Sequence, residues 1–529
     1  MTFYFIRLKH PLDSQAVGNA LYGMQSMSSE HKPVRELLAA IYSNITQQKN
    51  SPPLCMKAQE ISNAIYGMQK MDATDSEVQD VLMLLHQQLV DCKESVSGLA
   101  VGNIIFGLQS KTCDHKVIRD ILHTVSGRVQ QLSEPLSIVS FGSALYGLHC
   151  MSSDVTEVRE VLASLCDHLT PDITSNSYGR EVAGSHTRSI VNALYGMQCM
   201  DSEHLEVRRV LALLSARLEV CSTTSMTAQG FGNAMYGLQL MACRDDHPEV
   251  EAVFQALYDK ANASPKKLID VRAVGNSLYG LISSMKYQTD GSSKKLLIKI
   301  VTLLLDAADD IVASITDQKE NLLNNECSIS IEDMQDLWRS LVLFSHFTES
   351  SAALTPDLKS HMVRLCSDLS KHAPHSTLHV ISTDENGDNA APSESKARSG
   401  IERRVQEQVN IILQQNPTVH ITHNEMLYGF ESDIVLRVTS VESSQQQSRV
   451  PDIIRNVEVD GITHLQPRKR KFCNLRDIYL EDKYGIKVSR IRVPDRRRLS
   501  DEALHDAVLE HLKALKLFVI TQQTQHTFF

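Results

Sequence analysis

Between residues 464 and 498 the chain gathers Arg468, Lys469, Arg470, Lys471, Arg476, Lys483, Lys487, Arg490, Arg492, Arg496, Arg497 and Arg498 against only Asp477, Glu481, Asp482 and Asp495, a local charge of +8. A cluster of that density neutralises a polyanion, phosphate above all, where it is not simply a solvated face. Just upstream, Glu458 and Asp460 stand two apart in RNVEVDG at 455–461, which alternates as a strand. Strand period puts both carboxylates on one face, where hard oxygen ligands suit Mg²⁺.

The elements that must position these groups follow from a period that changes beyond residue 400. GIERRVQEQVNIILQQ at 400–415 is an amphipathic helix, SDIVLRV at 432–438 a strand, RNVEVDG a second strand and RKRKFCNLRDIYLEDKYG at 468–485 a helix ended by Gly485. IKVSRIRV at 486–493 reads as a third strand and SDEALHDAVLEHLKAL at 500–515 as a helix capped by Ser500. The expectation is a small α/β domain over 400–518. SSQQQS at 443–448 is a surface loop, and 381–399, rich in Ser, Asn, Asp and Gly, reads as a linker.

The rest of the chain is repetition. NALYGMQ at 19 recurs as NAIYGMQ at 63, NIIFGLQ at 103, SALYGLH at 143, NALYGMQ at 192, NAMYGLQ at 233 and NSLYGLI at 276, with motif glycines 40 to 49 residues apart. Each copy is followed by a polar break and a second apolar-periodic segment, as in MSSDVTEVREVLASLCDHL at 151–169. That period and pairing predict an all-α solenoid of helix pairs over 12–315. At 100° per residue, Val17, Ala20, Leu21 and Met24 form the inward face of the first helix, while Asn19, Tyr22 and Gln25 share the other side with Gly18 and Gly23. Helix-interior glycines cost about 0.5–1 kcal/mol each relative to alanine, so something approaches the backbone there. Two candidates are open: the equivalent helix of a neighbouring repeat, with Asn and Tyr as a hydrogen-bonded ladder, or a single-stranded nucleic acid read once per repeat. The residue two after each glycine is Gln in five of seven copies, which fits packing better than a base code. Beyond residue 281 the repeat degenerates, and 316–380 is expected to be an irregular helical cap.

Composition narrows the class. Residues 1–400 carry 34 Lys+Arg against 46 Asp+Glu and residues 401–529 carry 19 against 17, so an acidic solenoid precedes a basic domain. An acidic solenoid is an awkward phosphate binder. No apolar run reaches the roughly 18–20 residues a membrane span needs, so no membrane partner is expected. Eleven cysteines form no CxxC pair, and Cys150 and Cys199 occupy the same repeat position; they read as small buried residues in a reducing compartment. The N-terminus has Arg7 and Lys9 but neither an Arg- and Ser-rich leader nor a secretory signal. Either no such leader directs import, or the sequence is truncated.

NVEVDGITHL followed by RKRKFCNLRDIYLEDKYGIKVSRIRV resembles the RAP domain, a module of organellar RNA-maturation proteins that commonly follows a helical-repeat array. That domain is itself similar to the restriction-endonuclease-like fold, notably to repair endonucleases with an E-x-D-G-x-x-H core. The likeness covers about 401–516, and the repeats more loosely resemble octotricopeptide and heptatricopeptide arrays, whose period is shorter. The resemblance implies a nuclease-like site of Asp433, Glu458, Asp460 and His464, with Mg²⁺ as cofactor on Asp433, Glu458 and Asp460, and Glu402 as a nearby helix carboxylate. The lysine of the usual E-x-K pattern is Asp460 here, which leaves open whether the domain cleaves RNA or only binds it. Phosphate contacts fall to Arg468, Lys469, Arg470, Lys471, Arg476, Arg490 and Arg492. The implied function is RNA processing, maturation or stability in a mitochondrion or chloroplast, with RNA as partner and protein partners through the solenoid as the alternative.

Overall fold

The computed structural model describes residues 12–46, 54–169, 180–221, 225–287, 291–320, 331–349, 351, 354–372, 400–413, 419–427, 430–438, 453–460, 467–492 and 501–514. The expected linker at 381–399, the loop at 443–448 and the cap at Ser500 lie outside them. The chain divides into two compact units, Met1–Leu369 and Ser370–Phe529.

The first unit is a stack of helix pairs. The motif helices are α1 (Ser14–Tyr22), α3 (Ala58–Gly67), α5 (Gly98–Phe106), α7 (Ile138–Gly147), α9 (Arg180–Gly196), α11 (Ala228–Gly237) and α13 (Val271–Tyr287). Their partners are α2 (Lys32–Thr46), α4 (Ser76–Asp91), α6 (Lys116–Val129), α8 (Thr156–His168), α10 (Leu205–Val220), α12 (Pro248–Ala263) and α14 (Ser292–Glu320). Every odd helix packs on the odd helix before it, and every one of these even helices on the even helix before it, giving two layers. The apolar stripe of each helix fills the space between layers: Val17, Leu21 and Met24 of the first repeat are buried, as are Val158, Val161, Leu162 and Leu165 of α8. Asp13, Ser97, Ser137 and Thr227 cap α1, α5, α7 and α11 through side-chain oxygens, satisfying one orphan N–H each.

The motif glycines exist because the motif helices meet backbone to backbone. A Cβ on Gly107 would stand 2.2 Å from the Ile65 carbonyl oxygen, and one on Gly237 1.9 Å from that of Leu194. Gly67, Gly147, Gly196 and Gly280 meet the preceding motif helix in the same way. The neighbouring helix, then, is what approaches the glycine side. At this range one ring follows another along the stack: Tyr22, Tyr66, Phe106, Tyr146, Tyr195, Tyr236 and Tyr279 form a continuous column with centroids 5.3–6.2 Å apart and planes within 28° of one another. The expected hydrogen-bonded ladder is replaced by this column, because rings brought to about 5–6 Å gain offset-stacking energy. The Gln row is packing: Gln69, Gln198 and Gln239 are buried, and Gln109 Nε2 donates to Gln69 Oε1 at 2.7 Å.

Polar ties join successive repeats at the second turn of the motif. Buried Ser29, Ser153 and Ser202 each accept the N–H of a residue one repeat on, Asp72, Asp201 and Ala242, at 2.9–3.0 Å. Arg35, Arg159 and Arg208, at one position of the even helices, donate back to the carbonyls of those serines. Where an irregular cap was expected, α15 (Ile331–Thr348) packs on α13, and α16 (Pro356–His372) follows as its partner. His361 and Arg364 of α16 hold Asp309 of α14 at 2.7 and 2.8 Å. The stacking thus continues through an eighth pair although the motif has vanished, because the spacing of buried Met334, Leu337, Leu341 and Phe344 still makes an apolar stripe.

The second unit has the order α17 (Gly400–Leu413), β1 (Val419–Leu427), β2 (Phe430–Val438), β3 (Ile453–Asp460), α18 (Pro467–Tyr484), β4 (Lys487–Arg492) and α19 (Asp501–Ala514). Its sheet runs β1-β2-β3-β4, antiparallel except for β3 and β4, which are parallel across the α18 crossover. Val405, Val409, Leu504, Val508 and Leu512 of α17 and α19 pack on Ile434, Leu436, Val457 and Ile491, the core of the unit. Sequence pattern alone does not show β1, whose VHITHNEML has too many polar residues to announce a strand.

Candidate nucleic-acid interface

Alternation along the strands assigns the two faces of the sheet. Ile434, Val457 and Ile491 face the α17/α19 core, so Asn456 and Arg490, one residue away, belong to the other face. There α18 lies: Asp477 of α18 accepts from Arg490 Nε at 3.1 Å and from Arg476 Nη2 at 2.8 Å. The Arg476, Arg490 and Asp477 side chains are only 7%, 17% and 18% exposed. Arg476 and Arg490, expected among the phosphate contacts, are thus committed to an internal pair of charge-assisted bonds that fastens the crossover helix to β4. Their carboxylate partner, Asp477, was not singled out by sequence reasoning, because one acid inside a basic run reads as surface charge.

The carboxylate positions are brought together by register. β3 and β4 pair Glu458 with Arg490 and Asp460 with Arg492. β2 and β3 pair Ile434 with Val457, and continuing the register by one residue sets Asp433 opposite Glu458. Positions 433, 458 and 460 therefore share the α18 face of the sheet on adjacent strands. The side chains of Glu402, Asp433, Glu458, Asp460 and Arg492 and all of His464 lie outside the described residues. Among the described residues, no group of three or more His, Cys, Asp or Glu side chains is placed to hold a metal ion.

Arg468, Lys469, Arg470 and Lys471 occupy the first turn of α18, directly after Pro467, and their side chains too lie outside the described residues. That turn contains no acidic residue. Four cations here run against the helix dipole, whose N-terminus is already positive, at about 0.3–1 kcal/mol per like charge. Lys483 and Lys487, at the far end of the helix and the start of β4, are exposed.

One unforeseen group lies in the solenoid. Lys111 is 1% exposed, and its Nζ donates to the carbonyls of Met68 and Gly107 at 2.7 and 3.1 Å and to Ser110 Oγ at 3.3 Å. Burial pulls its amine down to about 7, against the opposing pull of Asp72 and the nearby Cys150. The same burial pushes the Cys150 thiol up to about 12. The signal for Lys111 was in the sequence: four residues after the motif glycine the other repeats read Met27, Met71, Met151, Met200 and Met241, then Ser284.

No helix among the described residues is long and apolar enough to cross a membrane. No protein-family model matches the chain, and a search of curated proteins finds no match either.

Proposed function

We propose that this chain is an RNA-binding protein of organellar RNA maturation, and that the N-terminal turn of α18 grips the phosphate backbone. The observation that carries the reading is the run Arg468–Lys471 at a helix N-terminus. Backbone N–H groups and four cationic residues share a first turn where an anion is favoured and a cation is costly. The restriction-endonuclease-like ancestry and a mitochondrial or plastid location rest on the likeness of 401–516 to RAP domains. Changing Arg468, Lys469, Arg470 and Lys471 together to Ala should weaken binding of every RNA sequence alike. It should also flatten the salt dependence by roughly 0.7 for each phosphate of a single strand that is no longer neutralised. An unchanged salt slope would assign the four residues to solvent and sink the reading.

A metal-dependent endoribonuclease is the second reading, favoured by the shared face of positions 433, 458 and 460. Binding without cleavage is preferred, because Asp460 stands where the usual E-x-K pattern keeps the lysine that would stabilise the developing phosphate charge. Single-stranded RNA incubated with Mg²⁺ or Mn²⁺ should survive the wild type and the Asp433→Ala/Glu458→Ala variant equally. Cleavage by the wild type alone would reverse the preference.

A further inference from the structure

We propose that the exposed ridge of the motif helices docks an uncharged, extended polypeptide segment in the polyproline II conformation, bonded through its main chain. This is independent of the RNA reading, which concerns the second unit. The ridge is built from Asn19, Asn63, Asn103, Asn192, Asn233 and Asn276, four residues before six of the seven motif glycines, with Ser143 before Gly147 and the ring column three residues further along. All six are exposed or half-buried, and among the described residues none of their side-chain amides makes a hydrogen bond. Asparagine is a poor helix former, so a column of idle asparagines in helix interiors has no account in stability. An amide offers one acceptor and paired donors, the complement of a peptide group. A reader repeated in six of the seven motif helices, with the hydroxyl of Ser143 in its place in the fourth, reads what recurs in every ligand unit, namely the main chain.

Charge selects the polypeptide over a nucleic acid. Across α1, α3, α5, α7 and α11 the single charged residue is Glu60, and its carboxylate is taken by the Lys57 N–H at 2.8 Å. On the line eight residues before the motif glycine the only cations are Arg188 and Arg272, and Arg272 is held by Asp333 at 2.7 Å. Phosphate binding needs cations along its length, and this line has two in seven repeats, both in its C-terminal half and one of them held by an acid. Base stacking is closed too, because successive rings already stack on one another. The same line puts Leu99, 65% exposed, next to Val139, 43% exposed, in adjacent repeats, an apolar seat for ligand side chains. A polyproline II helix leaves its peptide groups unbonded, free to pair with the asparagine amides.

The test uses the full chain and a labelled peptide of repeated Leu-Pro-Pro units, which offers one N–H per turn, beside oligo(U). Binding of the peptide should change less than about twofold between about 0.05 and 0.3 M salt. It should fall at least about tenfold for the Asn63→Ala/Asn103→Ala/Asn192→Ala/Asn233→Ala variant and for a peptide N-methylated at each Leu. Alanine favours the helix, so the variant should keep its circular dichroism. If it does not fold, Asn103→Asp/Asn192→Asp keeps the shape and removes the donors, and the same loss is expected. No binding by the peptide, binding indifferent to these changes, or loss of oligo(U) binding instead in the asparagine variants would each overturn the proposal.

Discussion

Replacing Lys111 by Met should stabilise the solenoid at neutral pH and remove the share of its pH dependence that this residue supplies. The amine titrates near 10.5 when solvated and near 7 where it is buried, a gap of about 3.5 units, or about 5 kcal/mol at about 1.36 kcal/mol per unit. For a base whose folded value is depressed, the unfolded chain holds the proton more tightly between the two values, so stability rises with pH across that window. Below about pH 7 both states carry the proton and the whole penalty is present; by about pH 10.5 it has gone. Methionine occupies the same place in five other repeats, so the cavity suits it, and the loss is three hydrogen bonds from the ammonium or two from the neutral amine, at about 0.5–1.5 kcal/mol each. Lys111→Met should therefore be more stable than wild type by about 1–3 kcal/mol at pH 7, and less stable by a similar amount near pH 10. Urea denaturation of both proteins at intervals from pH 6 to pH 10 measures the difference, in which other titrating groups largely cancel. A difference that stays flat over that range would show that the amine is not held neutral in the fold, and would refute the reasoning.

Gly107→Ala and Gly237→Ala each force a methyl into a backbone carbonyl and should lower the urea midpoint by at least about 1–3 kcal/mol of stability. Gly127→Ala in α6, where a Cβ meets nothing within 4 Å, should instead gain about 0.5–1 kcal/mol. If all three behave alike, the close approach of motif helices is not what the motif glycines serve. Asp477→Ala removes the shared acceptor of two largely buried arginines and should cost about 3–5 kcal/mol. Loss of hydrogen-exchange protection in β4 and α18 reads this out, and protection equal to wild type would show that the pair is dispensable.

The helical stack was legible in the sequence because both of its determinants are local and periodic. Seven motif copies set the first seven helix pairs, and the i, i+3, i+4, i+7 stripe of each helix set its buried face, as at Val17, Leu21 and Met24. The glycines even announced that something would come close. What came close was settled by packing, since a neighbouring helix and a bound ligand ask for the same missing side chain, and only distances to Leu194 or Ile65 separate them. The eighth pair escaped notice because its helices keep the apolar spacing and lose the motif. In the second unit, helices and three strands could be read from their periods, whereas β1 is polar on too many positions to show itself alone. That β4 lies parallel to β3, setting Arg490 beside Glu458 and delivering it to Asp477, depends on register between segments thirty residues apart. A charge count sees twelve cations there as equals; the fold withdraws Arg476 and Arg490 into ion pairs, and no local pattern encodes which ones, because burial is decided by the sheet face on which each residue lands.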